Sequence, residues 1–198
     1  MTRRMKLKLL STAFASLALP FSLLSCSSSG GEKIDDAGNI VSRTTSFRLP
    51  PKLGILKRDF VQPVTDEKRD LVAGYKSTDP AQPAKLTITL VTKDDKVPPT
   101  AEEVRDYSQL TRASVLRRSS EAVEIRSNKI AGHEGTGSLY EFRFNEVVKG
   151  KSERFASLMA IFQEGAELVQ YYISGPQEDR AFMEEQLKIA ISVLSRKN

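Results

Sequence analysis

The order of periodicities along this chain predicts an α+β domain: a mostly antiparallel β-sheet of about seven to eight strands covered by two main α-helices. Three observations carry that reading. Four segments of strand character precede a helical stretch near Thr100, and four more precede a second near residue 177. Short turns join successive strands, which favours antiparallel pairing. The last two strand segments are apolar on both faces, as at the centre of a sheet covered on two sides.

Residues 45–49 and 54–62 read as the first two strands, separated by Pro50-Pro51, and 69–77 as the third. In the fourth, 85–93, Leu86, Ile88 and Leu90 alternate with Thr87 and Thr89, a period of two rich in β-branched residues. Pro98-Pro99 stops the strand. Thr100 followed by Glu103 is a capping box, and Val104, Tyr107, Leu110 or Thr111, and Val115 follow at helical spacing to about Arg118. Strands resume at 121–130 and 134–145, with Ala131-Gly132-His133 as the turn. Tyr140, Phe142 and Phe144 alternate there with Leu139, Glu141 and Arg143. Strand 153–163 puts Phe155, Met159 and Ile161 on one side and Ala156, Leu158, Ala160 and Phe162 on the other. Glu164-Gly165 turns the chain into 167–174. A closing helix, about 177–195, carries Phe182, Met183, Leu187, Ala190, Ile191 and Leu194 as its apolar stripe. A β-barrel with a peripheral helix is the competing arrangement.

The domain is preceded by a different kind of sequence. Arg3, Arg4, Lys6 and Lys8 form a basic start, residues 9–24 an apolar run, and Leu23-Leu24-Ser25-Cys26 ends it. The run is shorter than the roughly 20 residues that cross a bilayer, so it reads as a removed leader rather than a retained helix. Cys26 is the single cysteine of the chain. The pattern resembles the lipobox of a bacterial lipoprotein signal peptide, with cleavage between Ser25 and Cys26 and lipidation of Cys26. That resemblance implies a covalent lipid as the only attached group. Several acyl chains at roughly 0.8 kcal/mol per buried methylene make a stable anchor where one is marginal. Ser27, where a retention signal would have Asp, favours the outer membrane facing the periplasm by analogy with Gram-negative sorting. Residues 1–25 are thus expected as signal peptide, 26–44 as lipidated cysteine and flexible tether, and 45–198 as one domain. The tether reading rests on the Ser-, Gly- and Asp-rich composition of 27–44.

Removing residues 1–25, with four basic and no acidic residues, lowers the formal charge from +5 to +1. Basicity therefore belongs mostly to the leader, and nucleic acid loses its compositional support as a partner. Arg117-Arg118 and the group Lys149, Lys151 and Arg154 read as solvated faces.

The element order, Phe-x-Leu-Pro-Pro at 47–51, Pro-Pro-Thr-Ala-Glu-Glu at 98–103, the central hairpin 153–174 and the closing helix together resemble the PsbP/DcrB-like α/β sandwich group. The similarity spans roughly residues 45–196, and none of its motifs is catalytic. It implies a non-enzymatic binding or assembly role, as in exported lipoproteins and accessory subunits of membrane complexes. Some photosynthetic members bind metal, and no matching ligand cluster stands in this sequence.

Catalytic and metal chemistry is thinly supported. His133 is the single histidine, placed in a turn, and zinc wants three or four ligands. Asp79, Asp94 and Asp95 do not form a calcium loop. There is no Gly-x-Ser-x-Gly elbow, and Gly135-Thr136-Gly137-Ser138 lacks the lysine of a phosphate loop. Glu102-Glu103 and Glu184-Glu185 read as exposed helix faces. Alternating aromatics are ordinarily core. A ligand cleft, if present, is expected beside the sheet near Tyr75, Tyr107 and Tyr172. The expectation is a membrane-anchored, non-enzymatic interaction module with an envelope protein partner. A small-molecule-binding lipoprotein with a cleft between sheet and helix is the alternative.

Overall fold

The computed structural model describes residues 33–41, 47–63, 71–92, 97–118, 122–129 and 137–195. They belong to one compact unit, Gly31–Asn198. Its main sheet has eight strands, all pairings antiparallel, in the order β4-β5-β6-β7-β11-β10-β9-β8. These are β4 (Lys52–Leu53), β5 (Leu56–Pro63), β6 (Leu71–Ser77), β7 (Lys85–Thr92), β8 (Val123–Lys129), β9 (Gly137–Val148), β10 (Lys151–Glu164) and β11 (Glu167–Pro176). Helix α1 (Ala101–Arg118) lies between β7 and β8, and α2 (Arg180–Ser195) closes the chain after a short 3-10 turn, Gln177–Asp179. The fold is α+β, with an open sheet order rather than a barrel.

The start of the domain differs from the sequence reading. Residues 33–41, inside the stretch expected as tether, form a hairpin of β1 (Lys33–Ile34) and β2 (Ile40–Val41). It pairs with β3 (Arg48–Leu49) in a separate three-stranded sheet. The segment expected as the first strand of the main sheet therefore joins this small one. The two-residue β4, just after Pro50-Pro51, takes the edge instead. A chain leaving two consecutive prolines cannot continue the same hydrogen-bond ladder. The Arg58 guanidinium spans the change: it donates to the Leu49 carbonyl (2.6 Å) and the Gly38 carbonyl (3.1 Å).

The two-sided character of β10 divides the core. Ala156, Leu158, Ala160 and Phe162 join Val169, Tyr171, Ile173, Leu86, Ile88, Leu90 and Tyr75 on one face, where Met183, Leu187, Ala190 and Leu194 of α2 cover them. Met159 and Ile161 join Tyr140 and Phe142 on the other face, under Val115, Tyr107 and Leu116 of α1. The capping box forms as the sequence requires. The Thr100 amide donates to the Glu103 carboxylate (2.7 Å), and the Glu103 amide donates to the Thr100 hydroxyl (3.2 Å). Arg112 of α1 holds Glu124 of the edge strand β8.

β9 and β10 run on past their neighbours. Phe155 is the last β10 residue paired with β11, and Arg143 the last β9 residue paired with β8; beyond them, Val148 pairs with Lys151. The two-residue turn has positive φ at both positions, Lys149 (50°) and Gly150 (78°), as a twisted hairpin of this length demands.

Candidate functional site

The three tyrosines proposed as a cleft do not meet. Antiparallel partners share a face, so the register sorts them. Tyr75 pairs with Leu86, Leu86 with Ile173 and Ile173 with Leu158, a row under α2. Tyr172 pairs with Thr87 and Met159, and Met159 with Tyr140, a row under α1. Tyr75 is fully buried, and its hydroxyl donates to the Pro50 carbonyl (2.9 Å). Burial pushes that hydroxyl's pKa far above the usual tyrosine value, with the Arg58 charge acting the other way. Tyr75 thus ties β6 to the chain at Pro50, between the two sheets, on the opposite face from Tyr172. Adjacent parity decides this: odd positions of β6 and even positions of β11 fall on opposite faces. Ser25, Cys26 and His133 lie outside the described residues.

Tyr107 and Tyr172 do share a side. The Tyr107 hydroxyl donates to the Gln170 side-chain oxygen (3.2 Å), tying α1 to β11. Gln170 pairs with Thr89, and Tyr172 with Thr87. Thr87, Thr89, Val91, Gln170 and Tyr172 are all half-buried, whereas Met159 and Ile161 beside them are fully buried. The helix packs on β9 and β10. The α1 side of the sheet is therefore sealed over β9 and β10 and shallower over β7 and β11.

The row ends at β5. Gly74 pairs with Phe60, whose ring lies flat over it: a Cβ on Gly74 would sit 2.1 Å from that ring. Phe60 remains 43% exposed. On this face Val72 and Gly74 of β6 are buried, so the half-buried strip is confined to β7 and β11 beside Tyr107, where it presents hydroxyl, amide and aromatic groups. Beneath the covered half, Ser108 of α1 and Ser157 of β10 are buried with hydroxyls that make no hydrogen bond.

A bidentate ion pair to a buried carboxylate lies on the α2 side. Arg180 donates to both Glu141 carboxylate oxygens (3.0 and 2.9 Å) and pairs with Glu184 (2.7 Å). Its pKa is raised, first by the Glu141 hydrogen bond. This clamp holds the start of α2 to β9 and is structural. Among the described residues no three His, Cys, Asp or Glu side chains come together as a metal cluster.

Sequence reasoning passed over Gln170, Phe60 and Glu141. The threonines of β7 were the available signal: hydroxyls alternating with Leu and Ile in a central strand mark a face incompletely covered. Nothing in the sequence could pair Phe60 with Gly74, because that contact depends on register.

No family model and no curated protein matches the chain. Among solved structures it is similar to LpqN, involved in cell envelope biogenesis of Mycobacterium tuberculosis. Identity is 12% over 70% of this chain and 82% of that chain, with a TM-score of 0.35. At that TM-score the likeness carries no argument about this protein.

Proposed function

We propose that this protein is a lipid-anchored module of the bacterial cell envelope that binds another envelope protein and carries out no reaction of its own. The observation that carries the reading is Leu23-Leu24-Ser25-Cys26 at the end of a basic-then-apolar leader, directly upstream of a folded domain. The lipid on Cys26 is the only attached group, and the outer membrane facing the periplasm is the favoured site. The element order of the PsbP/DcrB-like group supports the same assembly role. The half-buried strip on β7 and β11 beside Tyr107 is the surface assigned to the partner. Its mixture of aromatic, hydroxyl and amide groups suits protein recognition.

Two measurements test this. Metabolic labelling with an alkyne analogue of palmitate should mark the wild-type chain and leave Cys26→Ala unmarked. A photo-crosslinking residue at Thr89 should then capture one reproducible envelope protein in intact cells, while the same probe at Lys188, on the exposed side of α2, should not. Labelling that persists in Cys26→Ala refutes the anchor. Equal capture from both positions refutes the assigned surface. Capture of a small molecule at Thr89 in place of a protein would establish the ligand-binding alternative.

A further inference from the structure

The β1–β2 hairpin follows Cys26 in the sequence and is fastened to the main sheet. β2 pairs with β3 through Ile40–Leu49 and Val41–Arg48. Arg58 of the main sheet donates to the Gly38 and Leu49 carbonyls. Asn39 is buried and donates to Asp35 from both its amide (2.9 Å) and its side chain (2.9 and 3.1 Å), and Ile40 packs on the main core. The chain is therefore part of the folded unit from Lys33 onward.

The fastened segment thus begins close in sequence to Cys26. Only seven residue steps separate Cys26 from Lys33. Fully extended they reach about 25 Å, and as a coil about 15 Å. A domain of this length is about 40 Å across, from a radius of gyration near 15 Å. A tether shorter than the body it holds restricts how that body can turn.

One large apolar side chain lies eight residues after Cys26 in the sequence: Ile34 on β1, 72% exposed. Resting on the anchored reading above, we infer that the β1–β2 hairpin is the membrane-apposed surface, with Ile34 seated at the headgroup level of the bilayer that holds the Cys26 acyl chains. An exposed Ile on a short lead gains by entering that interface, and the acyl chains keep it there. The far side of the sheet stands away from the lipid. Val147, equally exposed at 72%, is on β9, five strand positions from the β5 that carries Arg58. That is about 24 Å of lateral separation at roughly 4.8 Å per strand.

The equal exposure of two aliphatic side chains supplies the test. The full chain is produced in a lipoprotein-processing bacterium, and acylation of Cys26 is read by mass spectrometry. The product is reconstituted into phosphatidylethanolamine–phosphatidylglycerol vesicles and exposed to hydroxyl radicals. Oxidation of Ile34 is taken relative to Val147. The comparison is a variant with a flexible Gly-Ser insert of about 24 residues between Gly30 and Gly31, which roughly doubles the coil's reach. The wild-type ratio should be several-fold below the insert variant's. Acylated protein with equal ratios in the two chains overturns the apposition and leaves the anchor standing. A product without acyl chains on Cys26 overturns the anchor, and this proposal with it.

Discussion

Two tyrosines on the same face of the sheet have opposite relations to their surroundings. Tyr75 and Tyr171 are both buried in the α2-side core, yet the Tyr75 hydroxyl donates to Pro50 and the Tyr171 hydroxyl makes no hydrogen bond. Burial pushes the Tyr171 pKa well above the usual value, with Glu164 and Tyr75 adding to it. Removing a bonded hydroxyl costs about 1 kcal/mol, whereas removing an unbonded buried one is neutral or favourable. Tyr75→Phe should lower the urea midpoint, and Tyr171→Phe should leave it unchanged or raise it. Equal losses in the two variants would contradict the hydrogen-bond assignment. Glu184 offers a pH readout. Burial raises its pKa, but the Lys188 hydrogen bond and the Arg180 charge outweigh burial, and the net position lies below its ordinary 4.5. An acid with a depressed folded value stabilises the fold above its unfolded value, and that contribution fades as pH falls through it. Glu184→Gln should therefore destabilise at neutral pH and lose its effect on descending below 4.5. A destabilisation independent of pH would assign Glu184 a packing role instead.

At the scale of elements, boundaries were legible where a local rule sets them. The capping box at Thr100 and Glu103, the prolines at 98–99 and the alternation in β7 act within a few residues, and each appears where the patterning places it. The hairpin at 33–41 was not legible. Ser-, Gly- and Asp-rich composition around it describes a solvated chain, and what orders the segment is a guanidinium twenty residues downstream. Arg58→Ala should thus release it. Hydrogen exchange at residues 33–41 should rise toward the unprotected rate while α2 stays protected, because α2 packs chiefly on β10, β11 and β4. Loss of protection in both would mean that Arg58 supports the whole domain. Glu141 was hidden for a similar reason. Its burial is tolerated because Arg180 arrives from the other end of the domain to meet both its oxygens.

For the whole molecule, β10 is the shared wall. Leu158 faces the α2-side core and Met159 the α1-side cluster, one residue apart and both fully buried. Truncating either to Ala should cost about 2–5 kcal/mol. Because one strand belongs to both layers, each loss should appear as a shift of a single unfolding transition by circular dichroism and fluorescence alike. Separate transitions in Met159→Ala would make α1 and its cluster an independent unit. The two faces are unequally covered: α2 seals its side, whereas α1 leaves the β7–β11 strip shallow. β5, whose Arg58 holds the N-terminal hairpin, and the projecting β9–β10 hairpin stand toward opposite ends of the strand order.

By itself, the periodicity of apolar residues determined the α+β class, the two-faced β10 and the span of the first helix; the closing helix, expected from about 177, begins at Arg180 after a 3-10 turn at Gln177–Asp179. Those features follow from which neighbours along the chain need burial. The basic-then-apolar run that ends at Cys26 likewise stands in the sequence without reference to any fold. The tertiary structure alone decided that Tyr75 lies apart from Tyr107 and Tyr172, that Phe60 covers Gly74, and that residues 33–41 belong to the folded unit. Each of these depends on strand register or on a contact between distant residues. A shift of one residue in register reverses every face, and local sequence carries no record of which distant carbonyl an arginine will reach.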